Sequence, residues 1–238
     1  MNKIIKISLV TALLSCSLLK ADFIQDLEVT GEVALTSNYI WRGMTQTDDS
    51  AAVQGAFNLE YKGFYTGVWA SNVDFKGEDD AVVEVDYLAG YKNDVYDITY
   101  DIGYGQYTYP GDTDNMNFGE VHLTLGYDFD VLAVSGSYFV GVDTNDVDYS
   151  YNTQNQEENW TPQNAYELSI DVPLPFKVSA DASYGQYNHK GDYYSMGLTR
   201  GFGIFEVNVA YIVMEYRGGD SVDAENEYNV VATLSASF

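Results

Sequence analysis

Apolar and polar residues alternate along most of this chain, most clearly at its end. Tyr228, Val230, Ala232, Leu234, Ala236 and Phe238 fall on one face of an extended strand, and Asn229, Val231, Thr233, Ser235 and Ser237 on the other. A two-residue period belongs to a β-strand whose two faces meet different surroundings. Twelve such runs can be drawn, roughly 29–41, 52–61, 64–73, 81–91, 95–107, 118–127, 131–142, 165–172, 177–187, 193–200, 204–214 and 228–238. They bracket the ~9–11 residues a tilted strand needs to cross a bilayer. No 3.6-residue period is sustained, so the pattern predicts an all-β chain.

The connections sort by length. Residues 62–63, 92–94, 128–130, 173–176 and 201–203 form short turns, while 42–50, 74–80, 110–117, 143–164 and 215–227 form longer loops, with 189–192 the shortest of that set. An even strand count with short turns at one end and long loops at the other predicts an antiparallel up-and-down transmembrane β-barrel of about 12 strands, both termini periplasmic. A soluble β-sandwich, periplasmic or lipid-anchored, is the alternative, and it has no reason to sort its loops this way.

The faces fit the barrel. Val83, Val85, Tyr87, Ala89 and Tyr91 form one apolar stripe, Val121, Leu123, Leu125 and Tyr127 another, and Phe205, Val207, Val209, Tyr211 and Val213 a third. Tyrosines gather near stripe ends, where an interfacial girdle would sit. Between them lie Glu84, Asp86, Asp97, Asp101, Glu120, His122, Glu167, Asp171 and Glu206. A sandwich would bury the apolar set; a membrane barrel turns it to lipid and the acids to a wet lumen. The run 64–73 is apolar on both faces, and its parity stays open. The aromatic terminus at Phe238 resembles the closing strand of bacterial outer-membrane barrels, which implies an assembly signal read by the barrel-assembly machinery. Ala236 departs from that pattern, where a bulkier residue is commoner.

Residues 1–21 read as a signal peptide, with Lys3 and Lys6 before an apolar run from Ile7 to Leu19 and a small-residue cleavage point at Ala21. Leu13, Leu14, Ser15 and Cys16 offer a competing lipoprotein reading. Cys16 is the only cysteine, so cleavage after Ala21 leaves no disulfide or thiolate site. The same cleavage lowers the basic count from 11 to 8 against 36 acidic residues and moves the net charge from −25 to −28. Such a surface repels nucleic acid and attracts cations. With 22 Tyr, the chain is too aromatic to be an acidic disordered tail.

The segment Ser37, Asn38, Tyr39, Ile40, Trp41, Arg42, Gly43, Met44, Thr45, Gln46, Thr47, followed by Gln54-Gly55 and by Gly63 to Val73, resembles the opening of the TorF-like porins, a largely uncharacterised group of secreted proteobacterial proteins. The likeness is close over the first quarter. It implies an outer-membrane barrel and a pore without a defined solute, and it brings no catalytic or binding residues.

Candidate chemistry is confined to the polar face. Arg42 lies at the loop end of the first run, where its planar fork could pair with Glu84 or Asp86 and shape a constriction, or pin the first loop at the rim. Arg42 is the one lumen-parity base near those acids. Glu84, Asp86, Asp101, Glu120 and Glu167 could form a ring favouring cations, or be no more than a wet acidic lumen. Arg200 falls on the lipid face at a strand end, where it can snorkel. The loop from Asp143 to Glu158 carries oxygen ligands suited to Ca²⁺ but lacks the spacing of a calcium loop. Its Glu157-Glu158-Asn159-Trp160-Thr161 resembles a bacterial N-glycosylation sequon, and the loop 143–164 is long enough to plug a pore. His122 and His189 are too far apart for a histidine metal site, and neither is placed like the Ser-His pair of outer-membrane phospholipases.

No enzyme activity, cofactor or metal is expected. The expectation is an outer-membrane channel for passive diffusion of small solutes or ions, with a preference for cations and with homo-oligomerisation left open. The alternative is a closed structural or adhesive barrel whose acidic loops bind ions or partners.

Overall fold

The computed structural model describes residues 26–75, 81–111, 116–143, 163–217 and 225–238. Residues 1–25, and with them the expected signal peptide, lie outside the described residues, as do most of the loop 143–164 and its calcium and glycosylation readings.

Twelve strands form the wall: β1 (Leu27–Thr36), β4 (Ala52–Tyr61), β5 (Phe64–Asn72), β6 (Val83–Val95), β7 (Ile98–Thr108), β8 (Phe118–Asp128), β9 (Ala133–Asp143), β10 (Ala165–Leu174), β11 (Val178–Tyr187), β12 (Gly191–Phe202), β13 (Phe205–Tyr216) and β14 (Glu227–Ser237). Each pairs antiparallel with its neighbours, and β1 closes the sheet by pairing with both β4 and β14. Two further short strands, β2 (Ile40–Trp41) and β3 (Met44–Thr45), form a hairpin off the wall.

Closure leaves no sheet edge, so every wall strand finds backbone partners on both sides, as a bilayer core demands. The outward face carries Val33, Leu35, Phe57, Val68, Tyr87, Ile102, Leu123, Tyr138, Leu168, Leu198, Val209, Val230 and Leu234, all exposed. A band of that extent is unsuited to water and is like the outer band of membrane barrels. Among the described residues no helix is long and apolar enough to cross a membrane.

The short turns gather at one end, for example Lys62-Gly63, where φ values of 51° and 85° give both central residues the left-handed twist that two-residue hairpins require. Both ends of the described chain lie there too.

Two details differ from the sequence pattern, and a third that it left open is decided. The first run ends as a wall strand at Thr36, and Tyr39 to Trp41 leave the wall for the lumen. The turn expected at 92–94 falls at Tyr96-Asp97, because β6 continues to Val95. Lys92 is therefore a second lumen-parity base and the Cα partner of Asp101. In β5, Phe64 and Val68 are the outward residues, which places Tyr65, Trp69 and Ser71 inside.

Candidate functional site

The hairpin β2–β3 is the centre of the lumen at the long-loop end. Its turn, Arg42-Gly43, has φ of 48° and 85°, the same left-handed pair as the outer turns. Gly43 is required for a second reason: a Cβ there would lie 2.9 Å from the Tyr193 Cβ and 3.0 Å from the Met214 Cβ. The hairpin thus folds inward from β1 and presses its turn backbone against β13 and β12, two and three strands away, while the Arg42 side chain reaches on to β8 and β9.

Asn38 ties the base of this loop. Its Oδ1 accepts from Thr45 Oγ1 at 2.8 Å and Thr47 Oγ1 at 3.0 Å, while its Nδ2 donates to Asp49 Oδ1 at 2.9 Å. The Thr45 backbone N–H donates to Glu227 Oε2 on β14 at 2.9 Å. Trp41 packs against Tyr107, Phe118 and Tyr187, with centroids 5.3–6.4 Å apart, and joins two apolar clusters. One is built on Val73, Ala81, Tyr109 and Phe118, the other on Ala165, Tyr187, Tyr193 and Met214.

Arg42 donates through both terminal nitrogens to Glu120, at 2.6 and 2.9 Å, with side chains 6% and 2% exposed. Its guanidinium also lies 4.4 Å from the Trp41 ring centroid, 4.6 Å from Phe139 and 5.1 Å from Tyr187. Burial works against this charge, but the bond to Glu120 and its negative charge outweigh that, so the Arg42 pKa stands above its ordinary value. The partner is Glu120 rather than Glu84 or Asp86, because the hairpin carries Arg42 past β6 to the β8–β9 wall.

The remaining candidates do not form one ring. Glu84 and Asp86 are buried on β6 beneath Tyr39 and Tyr109, and Tyr109 donates to Glu84 Oε1 at 3.1 Å. Burial, followed by the charge of Glu84, raises the phenol pKa of both Tyr39 and Tyr109. Glu167 lies on β10 and accepts from Ser169 at 3.1 Å.

Asp101 stands apart, deeper toward the short-turn end. There Tyr65 donates to Asp101 Oδ1 at 2.8 Å, and His122 Nε2 is 3.3 Å from both that carboxylate oxygen and the Tyr65 hydroxyl. Tyr65 lies flat over Gly90 and Gly103, where any Cβ would strike its ring or hydroxyl. With Glu28, Glu60 and Lys92, this trio lines a cavity of about 390 Å³. Two features escaped the sequence pattern: the inward hairpin, whose signal was the Arg-Gly pair following Trp41, and this trio, whose members sit on three different strands.

The sequence matches the family described as "Bacterial protein of unknown function (Gcw_chp)" over residues 20–238. The chain belongs to that family. No curated protein matches it by sequence. Among solved structures, the KdgM porin in complex with disordered oligogalacturonate superposes with a TM-score of 0.55 at 8% identity, covering 88% of this chain and 97% of the porin. The NanC porin gives 0.54 at 10% identity, covering 89% and 99%. The outer membrane phospholipase A from Escherichia coli gives 0.48 at 10% identity, covering 88% and 89%. At these identities the likeness is one of fold, that of a closed antiparallel barrel of the outer-membrane porin type.

Proposed function

We propose that this family member is a porin-like channel of the outer membrane, passing small solutes and ions by diffusion and favouring cations. The observation that carries the reading is the wall itself: a closed barrel with an apolar outer band and an inner face bearing Glu28, Glu60, Glu84, Asp86, Asp101, Glu120 and Glu167. A narrow passage in which acids outnumber the bases Arg42 and Lys92 favours cations. The fold shared with the KdgM and NanC porins supports the membrane location and the channel. The resemblance to TorF-like porins adds to it.

In this reading the termini face the periplasm, Phe238 serves assembly, outer-membrane lipid and the barrel-assembly machinery are the partners, and copies can associate through the outer face. The hairpin sets the constriction, with the Arg42–Glu120 pair at its narrowest level.

A second reading has a specific observation behind it. Trp41 joins two apolar clusters across the long-loop end, and a lumen filled that way suits a non-conducting structural or adhesive barrel.

Single-channel recording of refolded protein in a planar bilayer under a KCl gradient separates the two. Steady conductance with a cation-favouring reversal potential is the expected outcome. A folded, heat-modifiable protein that never conducts overturns the channel and leaves the structural barrel.

A further inference from the structure

Glu84 and Asp86 are two residues apart on β6 and point to the same side of the wall, into the lumen. They are 2% and 7% exposed. Glu84 Oε2 and Asp86 Oδ1 are buried with no hydrogen-bond partner. Around them stand Tyr39 from the inward loop, Tyr107 and Tyr109 from β7 and its end, and Trp69 and Ser71 from β5. Ser71 is the Cα partner of Glu84, but its hydroxyl donates to the Asn72 carbonyl instead.

Among the described residues no ion pair reaches either acid. Of the guanidinium groups described at the long-loop end, Arg42 has both terminal nitrogens committed to Glu120 and Arg217 pairs with Asp192. Two adjacent buried carboxylates without a counter-charge are costly unless a cation or protons neutralise them. The surroundings offer oxygen alone: two carboxylates and the phenol oxygens of Tyr39 and Tyr109. Oxygen-only donor sets suit hard divalent cations, not zinc or copper. No cluster of three or more His, Cys, Asp or Glu is present among the described residues, so the remaining ligand positions fall to water from the lumen.

We propose that Glu84 and Asp86 form a binding site for a hard divalent cation, Ca²⁺ or Mg²⁺, beside the hairpin at the long-loop end of the lumen. As the selective part of the path, the site rests on the channel reading; as a cation site, it stands by itself. A bound divalent ion there neutralises the pair and places a positive charge near the constriction. It therefore reduces monovalent cation current as well as stabilising the loop that carries Tyr39.

The test uses full-length refolded protein in detergent, titrated with Tb³⁺ as a luminescent stand-in for Ca²⁺ and then competed with Ca²⁺. Tyrosine-sensitised emission is compared for wild type, the double variant Glu84→Gln/Asp86→Asn, and the control Asp171→Asn/Asp181→Asn. The control removes the same charge from a facing lumen pair on β10 and β11. Loss of outer-sphere partners alone weakens metal sites about 10- to 100-fold, so removing both ligands should cost at least that much.

The expected result is a tight, Ca²⁺-competed phase in wild type and control that is lost in the Glu84/Asp86 variant. Thermal unfolding gives a second readout. Ca²⁺ raises the wild-type midpoint and leaves the variant unmoved, while in chelator the variant is the more stable protein because its buried charges are gone. Equal Tb³⁺ affinity in wild type and the Glu84/Asp86 variant, with no Ca²⁺-dependent shift in wild type, overturns the site. A barrel that binds Tb³⁺ at this pair yet never conducts keeps the site and discards the pore; one that conducts without binding does the reverse.

Discussion

Gly31 and Phe238 close the barrel on each other. The Gly31 N–H donates to the Phe238 carbonyl at 2.8 Å, and the Phe238 N–H donates back to Gly31 at 3.0 Å. The phenyl ring lies over the glycine, where a Cβ would come within 2.7 Å of it. The last residue of the chain is thereby the last rung of the seam between β1 and β14.

Replacing Gly31 with Val should displace that ring and strain the seam by about 1–3 kcal/mol, the usual range for overpacking. Removing Phe238 should lower the folded fraction in cells far more than in unassisted detergent refolding, provided the residue is also an assembly signal. Heat-modifiable gel mobility measured in both settings checks it. Equal losses in the two settings would reduce Phe238 to a structural rung.

Glu120→Gln should destabilise the barrel by about 3–5 kcal/mol, because it leaves the Arg42 charge buried without its counter-charge. The pairwise replacement Arg42→Met/Glu120→Leu should recover most of that loss, since an apolar pair can occupy the same aromatic surroundings. Guanidinium unfolding midpoints for the two singles and the double decide the matter. A double variant as unstable as the worse single would show that the pair does more than neutralise itself.

Gly43→Ala places a methyl against Tyr193 and Met214 at a backbone angle that only glycine adopts freely. The hairpin should then leave the lumen while the wall remains intact. Limited proteolysis between residues 40 and 47 should accelerate severalfold, and single-channel conductance should rise, with the unfolding midpoint of the barrel little changed. Unaltered conductance would place the constriction elsewhere.

Tyr65→Ala should enlarge the cavity beside Asp101 and His122 yet change conductance much less than Gly43→Ala. Resistances in series are dominated by the narrowest segment, which the channel proposal places at the hairpin. A large effect of Tyr65→Ala would move the constriction to the short-turn end.

The wall was legible in the sequence because an apolar outer face and a polar lumen write a two-residue period into each strand, and an up-and-down order sorts the turns to two ends. Val121, Leu123 and Leu125 alternate with Glu120, His122 and Thr124, and the structure turns the two sets as the pattern implies. The run 64–73 was ambiguous because its inward residues Tyr65 and Trp69 are themselves large and aromatic, filling the barrel as core residues do. The hairpin was harder to see. Tyr39, Ile40 and Trp41 continue the alternation of β1, and the local signal, the Arg42-Gly43 turn, marks a hairpin without saying that it points into the lumen. The event that decides it is long-range: Trp41 finds partners on β7, β8 and β11, and Arg42 finds Glu120, none of them near in sequence. The acids were identifiable one by one, yet their grouping depends on strand register, which puts Asp101 at a different depth from Glu84 and Asp86.

The hairpin that begins beside β1 and ends against β12 and β13 has a mechanical consequence. A closed sheet resists stretching but flattens easily, since bending a cylinder into an ellipse breaks no backbone hydrogen bond. Here most of one diameter is spanned by a spoke, held beside β1 by Asn38, braced on its side by Tyr193 and Met214, and held at its far tip by the bond from Arg42 to Glu120. Such a spoke opposes flattening at the long-loop end, where it lies.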